Sequence, residues 1–272
     1  MTIGIDIGGS TTKIVAIKNG EIVEPLSVEA SDPVASASGA LGKFLTVHKI
    51  AFTDISNVII TGVGASYIDN TLLGLPVKRI EEFKALGLGG LFLSGLERAI
   101  IVSMGTGTAF VKANKGCISH LGGTGVGGGT ILGLSRAMTN LSTFENIIGS
   151  AKKGDPAMVD LSIGDISKAS IGNLPSTLTA SNFGKMNDNA TKGDINRGIL
   201  TMVFQVVGMM AIFAARPQKD TDIVLSGKLV NVFQAEKTFS MLGELYNVNF
   251  HVPKHAEYCT AIGAAISELV QT

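Results

Sequence analysis

Three runs of glycine and small hydroxyl residues sit at the ends of short apolar segments and limit what this chain can fold into. They are Asp6-Ile7-Gly8-Gly9-Ser10-Thr11-Thr12-Lys13, Gly105-Thr106-Gly107-Thr108 and Gly122-Gly123-Thr124-Gly125-Val126-Gly127-Gly128-Gly129. Without a Cβ, glycine lets main-chain N–H groups approach a phosphate closely, and Ser and Thr hydroxyls supply further donors. A helix opening at such a loop adds the positive end of its dipole. None of the runs ends in the Gly-Lys-Ser/Thr of a Walker loop, and none is a clean dinucleotide fingerprint. The pattern predicts two hairpin loops that face each other and cradle a nucleotide.

The length fits that geometry. At 272 residues the chain exceeds a usual single domain, so two lobes with a cleft are expected. With 45% apolar and 16% charged residues and a formal net charge of zero, it can bury a large core and lacks the basic surface of a nucleic-acid or membrane-surface binder. Small molecules are the expected partners, with no nucleic acid and no membrane. Cys117 and Cys259 are the only cysteines, and neither they nor the four histidines have zinc-site spacing. The chain opens on a polar-flanked strand with no basic stretch and apolar run before it, so a reduced, cytoplasmic setting is expected. Ile199 to Ala215 is the longest apolar segment, but it is short for a bilayer and contains Thr201, Gln205 and Gly208; it reads as a buried core helix.

Local signals divide the chain into an α/β lobe over residues 1–97, a second α/β lobe over 98–259, and a last helix over 260–272 that packs back on the first. Ile3 to Asp6, Thr12 to Ile17 and Glu21 to Leu26 read as an antiparallel meander, with Asn19-Gly20 as a hairpin turn. Asp32-Pro33 caps a helix towards Val47. Val58 to Thr61 and Leu75 to Ile80 read as buried strands, and Glu81 to Leu96 as a helix. In the second half, Ala99 to Ser103 and Ala109 to Ala113 read as strands and Gly128 to Met138 as a helix. Long helices are expected at Ser142 to Lys152 and Asn196 to Ala215, a strand at Asp222 to Leu225, and a final helix at Thr260 to Val270. No internal repeat is obvious, although the hairpin loops opening the two lobes are alike in design.

The Asp-x-Gly-Gly-Ser hairpin followed by the Gly-Thr-Gly-Thr hairpin resembles the acetate kinase, sugar kinase, Hsc70 and actin superfamily. Four further segments narrow this: Glu82-Phe83, Gly127-Gly128-Gly129-Thr130 with Leu132-Gly133-Leu134, Gly154-Asp155 with Val159-Asp160-Leu161 and Asp165-Ile166, and Leu178 to Gly184. In this order, from Gly4 to Ala265, they resemble the type II pantothenate kinases. The resemblance implies a two-lobed actin-like, ribonuclease H-like ATPase fold with the nucleotide between lobes. It also implies ATP- and Mg²⁺-dependent phosphorylation of pantothenate to 4'-phosphopantothenate, the first step of coenzyme A synthesis, by a homodimer joined through second-lobe helices.

Phosphoryl transfer to an alcohol needs a group that aligns the hydroxyl and takes its proton, and a carboxylate at the mouth of a cleft can do both. The resemblance gives this role to Glu82, preferred over Glu81 because Phe83 follows it; the plainer reading is an acid in a helix's first turn. Asp6 is the expected Mg²⁺ holder through water, against a plain turn-initiating aspartate. Lys13 is expected to reach the phosphates. The cradle is expected from Gly8, Gly9, Ser10, Thr11, Thr106, Gly107, Gly127, Gly128, Gly129 and Thr130. By family position Phe144 lies against adenine, Ser226-Gly227-Lys228 lines the nucleoside pocket, and Gly105 and His120 belong to the acceptor side. Family members usually carry arginine at the place of His120, five residues before Gly125. Histidine offers fewer donors and only partial charge, a change that bears on substrate affinity, acyl-CoA feedback or substrate identity.

Other readings are a sugar or amino-sugar kinase, although the zinc cluster of that branch is missing, and an activating ATPase of 2-hydroxyacyl-CoA dehydratases with a cysteine-held iron–sulfur cluster. A non-catalytic ATP-binding regulator is the remaining class.

Overall fold

The computed structural model describes residues 1–269 apart from 30, 170, 171 and 173. Its first lobe begins with β1 (Thr2–Ile7), β2 (Thr11–Lys18) and β3 (Glu21–Glu29), followed by α1 (Pro33–His48). Asn19 and Gly20 both take positive φ at the second hairpin, as that dipeptide allows. The Asp32 carboxylate accepts the Ala35 N–H at 2.8 Å and caps α1. Then come β4 (Asn57–Thr61), β5 (Thr71–Leu72), β6 (Leu75–Arg79) and α2 (Glu82–Ser94). The sheet order is β3-β2-β1-β4-β6-β5, with β1, β4 and β6 parallel. The expectation of a buried strand at Leu75 to Ile80 fails, because Pro76, Lys78 and Arg79 are exposed on a strand covered on its outer side only by two-residue β5.

The second lobe opens with β7 (Arg98–Met104), β8 (Thr108–Asn114) and β9 (Cys117–Thr124), then α3 (Gly128–Thr139) and α4 (Phe144–Ala151). A small excursion holds β10 (Leu161–Ser162), α5 (Ile163–Ile166) and β11 (Thr179–Ser181). There follow α6 (Lys192–Ala215), β12 (Asp222–Ser226), α7 (Phe233–Tyr246), β13 (Asn249–His251) and α8 (Cys259–Ile266). The sheet order is β13-β12-β7-β8-β9, with β7, β12 and β13 parallel. Read from its hairpin edge, this is the order of the first lobe. A structural repeat that the residues do not announce is therefore present, because it is written in topology.

Several boundaries move. The third glycine run does not simply open a helix: Gly122 to Thr124 end β9, and α3 starts at Gly128. α4 is only eight residues long. α6 starts at Lys192, four residues before Asn196, because Thr191 and Asp194 form a reciprocal cap. α8 ends at Ile266, and the expected end at Val270 lies outside the described residues.

Each lobe has its own core. Ile3, Ile5, Ile7, Leu41 and Phe44 are among the buried residues of the first, and Val102, Phe110, Ile199, Phe204 and Leu225 of the second. The two are tied by exchanged helices. α2 packs on β7, β8 and β9, whereas α8 packs on β1, β2 and β4. The two helices cross at Gly89 and Gly263, where a methyl carbon on Gly263 would lie 2.7 Å from the Gly89 nitrogen. Only glycine permits that approach. Among the described residues one helix, α6 with its extension to Gln218, is long and apolar enough to cross a membrane, but 61% of its most apolar stretch is buried inside the fold, as in a core helix.

Candidate active site

The two phosphate loops meet. Ser10 on the β1–β2 hairpin and Thr106 on the β7–β8 hairpin place their hydroxyl oxygens 3.2 Å apart, across the boundary between lobes. The first loop closes through the Gly8 N–H, which donates to Thr11 O at 3.1 Å. The second closes through the Gly105 N–H to Gly107 O, 2.9 Å. The start of α3 then locks onto it: Gly128 N–H donates to Gly105 O at 2.8 Å and Gly129 N–H to Thr106 O at 2.9 Å. A side chain at Gly127 would put its Cβ 2.7 Å from Thr106 O, so glycine is required for this seating. Thr130 Oγ1 accepts the Gly127 N–H at 3.1 Å and donates to Gly125 O at 3.0 Å, which orders the turn between β9 and α3.

Asp6, Lys13 and Glu82 share one electrostatic neighbourhood. Asp6 stands directly opposite Lys13 in the β1–β2 register and beside Thr61 in the β1–β4 register, so the three side chains lie on one face of the sheet. Burial raises the Asp6 carboxyl above the ordinary aspartate range, and Lys13 opposes the rise. Glu82 is raised too, first by burial, then by the charges of Asp6 and Glu81, again with Lys13 opposing. The neighbouring acids have separate tasks. Glu81 is the N-cap of α2, its carboxylate accepting the N–H groups of Phe83 at 3.1 Å and Lys84 at 2.7 Å. Glu82, at the first helical position and half-buried, caps nothing, and its carboxylate has no hydrogen-bond or ion-pair partner among the described residues.

The strand following each hairpin contributes a matching turn. After β4 and after β12 the chain runs Thr61-Gly62 and Ser226-Gly227, with φ of 88° at Gly62 and 90° at Gly227. Gly62 wraps over Asp6, where a Cβ would lie 2.6 Å from Asp6 Oδ1; Gly227 wraps over Met104. Ser226 is expected in the nucleoside pocket with Gly227 and Lys228, whereas Thr61 enters the sequence reading only as the end of a strand. The repeated apolar run followed by Thr/Ser-Gly, in Val58 to Gly62 and Ile223 to Gly227, is the signal that marks both.

The remaining candidates stand at different depths. Lys228 is exposed at the turn after Gly227. Phe144, at the start of α4, is partly buried against the second-lobe core. His120 lies on β9 with its ring stacked on Phe83, centroids 3.9 Å apart and planes 2° from parallel. A cavity of about 220 Å³ opens beside Gly8 and Gly9, lined also by Ser31, Pro33, Val63, Gly64 and Tyr67. A larger one, about 740 Å³, lies between α7 and β13 and contains no residue of either phosphate loop.

Residues 98–267 match the family model described as Fumble. A type II pantothenate kinase of Oceanobacillus iheyensis is 30% identical over 97% of this chain and 98% of its own. The chain belongs to the type II pantothenate kinase family. A relative of the same name from Bacillus anthracis is 29% identical over 90% of both chains.

Among solved structures, the Acidaminococcus fermentans (R)-2-hydroxyglutaryl-CoA dehydratase component A superposes with a TM-score of 0.70 at 17% identity, over 100% of this chain and 99% of that one. The ADPNP-bound activator of the 2-hydroxyisocaproyl-CoA dehydratase from Clostridium difficile gives 0.68 at 20%, over 99% and 95%. The ROK hexokinase from Thermus thermophilus gives 0.62 at 11%, over 100% and 99%. These likenesses establish the actin-like ATPase fold and nothing narrower.

Proposed function

We propose that this chain transfers the γ-phosphoryl group of ATP to the primary hydroxyl of pantothenate. The observation that carries the reading is the meeting of Ser10 and Thr106, with the spare carboxylate of Glu82 in the same electrostatic neighbourhood as Asp6 and Lys13. The loop amides of Gly8 to Thr11 and Gly105 to Gly107 cradle the phosphates, and Lys13 adds a point charge. Glu82 accepts a hydrogen bond from the acceptor hydroxyl, aligns it for in-line attack and takes its proton. Because burial raises its proton affinity, Glu82 is a stronger base than a solvated glutamate. The two lobes exclude water from the transfer.

The residues fit a magnesium ion held jointly with the nucleotide. Asp6 is opposed by a single lysine, and Thr61 Oγ1 on the same sheet face is buried with no hydrogen-bond partner among the described residues. When bound, the ion would neutralise phosphate charge, with Asp6 as its protein anchor and waters completing its shell. A homodimer belongs to the same proposal. Met202, Val206, Met209 and Phe213 recur along the outward side of α6, and Phe213 is 54% exposed. A cytoplasmic setting accords with two free cysteines.

The sharing of fold with dehydratase activators does not favour their chemistry here. Cys259 is 1% exposed and burial pushes its thiol up to about 12, which suits a packed side chain and not a cluster ligand.

The test is ADP release from the purified chain with Mg-ATP and pantothenate, glucose, N-acetylglucosamine or no acceptor, alongside Glu82→Gln. Turnover with pantothenate alone, lost in Glu82→Gln, is the expected outcome; silence on pantothenate, or hydrolysis indifferent to it, overturns the reading. Sedimentation of the chain and of Phe213→Glu tests the dimer, which a monomeric parent would remove.

A further inference from the structure

β9 and α2 run against each other in step. Two residues along a strand advance about 6.6 Å and four along a helix about 6 Å, so residues spaced two apart on β9 can meet residues four apart on α2. That match is realised twice. Ile118 packs where Gly87 leaves room, a Cβ at Gly87 lying 2.7 Å from Ile118 Cγ2, and two residues on His120 stacks on Phe83, one helical turn back. The β8–β9 register pairs Ile118 with Ala113 and His120 with Val111, both buried beneath α2, which sets His120 on the helix-facing side of the sheet. Directly after His120 the register slips, leaving Leu121 as the extra residue of a bulge. A bulge at this position re-aims the strand. Beyond it β9 runs on through Gly123, which lies against Thr108, and Thr124, which lies against Gly107 of the second phosphate loop.

Glu82 is the residue before Phe83. The carboxylate and the second phosphate loop are therefore both referenced to the same strand, one through the aromatic stack and the other through the continuation of β9. We infer that the Phe83–His120 stack is a positioning device that fixes Glu82 at its working distance from the second phosphate loop. His120 acts on the reaction through Phe83 and the first turn of α2, and the flat ring is what this role requires. The inference deepens the kinase reading above and rests on Glu82 as its base.

A double-mutant cycle tests it. Phe83→Ala and His120→Ala are each expected to lower kcat about tenfold, the scale of losing one well-formed aromatic pair, with KM for ATP unchanged. The double variant should lose no more than either single one, since one stack is removed in all three. Losses that multiply to about a hundredfold, or single variants that keep full kcat, overturn the inference. His120→Tyr, which keeps a flat ring, should recover most of the rate lost in His120→Ala. If it is as slow as the alanine variant, ring nitrogen chemistry is at work and the stack is not.

An arm independent of turnover reads the carbon-bound imidazole protons of the four histidines by NMR. One set, assigned by its loss in His120→Ala, should stand upfield through the Phe83 ring current and move downfield in Phe83→Leu. If the unaltered chain does not turn over pantothenate, the function has failed and this arm alone decides; an unshifted His120 imidazole then overturns the stack, whatever the His48 ring beside Phe44 shows.

Discussion

Replacing Gly263 by alanine adds one methyl group where α2 and α8 cross. In an open helix that change stabilises by about 1 kcal/mol, because alanine surrenders less backbone freedom than glycine. At this crossing the methyl carbon would lie 2.6 Å from the Ala85 carbonyl carbon and 2.7 Å from the Gly89 nitrogen. Both are backbone atoms, which cannot swing aside as a side chain can. The Ala85 carbonyl oxygen is nearer still, so relief requires the helices to part by more than about 1 Å, and such a gap forfeits at least about a quarter to a half of each dispersion contact along the seam. Overpacking of this kind costs about 1–3 kcal/mol when side chains can adjust, so a net loss of about 2–4 kcal/mol is expected here after the propensity gain. For a chain of this size that lowers Tm by about 5–10 °C. The control is Gly39→Ala in α1, at an exposed position where a Cβ would meet nothing within 4 Å. The same methyl group should there raise stability by about 0.5–1 kcal/mol. Thermal unfolding followed by circular dichroism gives both numbers. Equal stabilisation by the two substitutions would refute the close crossing, and with it the account of how the lobes are joined.

Glu82→Gln should leave the fold intact and raise its stability at neutral pH. A carboxyl whose folded pKa is raised makes the native state bind more protons than the unfolded chain, so stability falls as pH rises from the ordinary glutamate range through the folded value. The advantage of glutamine should vanish below about pH 4, and an advantage that grows with acid would reverse the sign of the argument. Glu81→Ala removes the cap of α2 and should cost about 1 kcal/mol in chemical denaturation, with turnover reduced and not abolished. Thiol alkylation of the native chain should consume one equivalent, at exposed Cys117, and two after unfolding; rapid modification of Cys259 would contradict its burial. Asp165 is held down to about 2 by hydrogen bonds from Lys185 and Ser162, so its support of the β10–α5 turn is present above pH 4 and is lost as pH falls through about 2. Amide exchange at Ser162 and Asp165 should be slower in the parent than in Lys185→Ala at neutral pH, and indifferent near pH 2.

What could be read from the residues divides by how local the cause is. The β1–β3 meander, the start of α1 and strand β4 are legible because a turn dipeptide, a capping aspartate or a continuous apolar run specifies each in place. β9, α7 and β13 carry no such mark. β9 is mostly exposed and glycine-rich, and α7 opens at Val232 with no side-chain cap, so the neighbours they pack against decide them. At the site, glycine spacing marks both hairpin loops, and the family resemblance prefers Glu82 to Glu81 because Phe83 follows it; the structure adds a physical distinction between the two acids. Only the capping bonds of Glu81 reveal which carboxylate is already engaged. His120 presents the reverse case: its position attracted notice as a departure from an arginine, whereas its contact with Phe83 depends on a register and a bulge that no short motif encodes.

The exchange of helices places the Glu82 carboxylate between the two halves of the molecule. α2 belongs to the first lobe by chain order and to the second by packing, so Glu82 is carried by the second-lobe sheet while Asp6 and Lys13 are carried by the first. Burial is the first cause of the raised proton affinity of Glu82, and of the charges that act on it Asp6 and Lys13 lie across the lobe boundary while Glu81 stands beside it on α2. Coulomb energies fall with distance and with water between the charges. A change in lobe separation must alter both the geometry and the basicity of Glu82 together. A carboxylate whose helix and charged neighbours all stood on one lobe would lack that dependence; here the tight crossing of α2 and α8 at Gly89 and Gly263 holds the two lobes, and so the charges, in register.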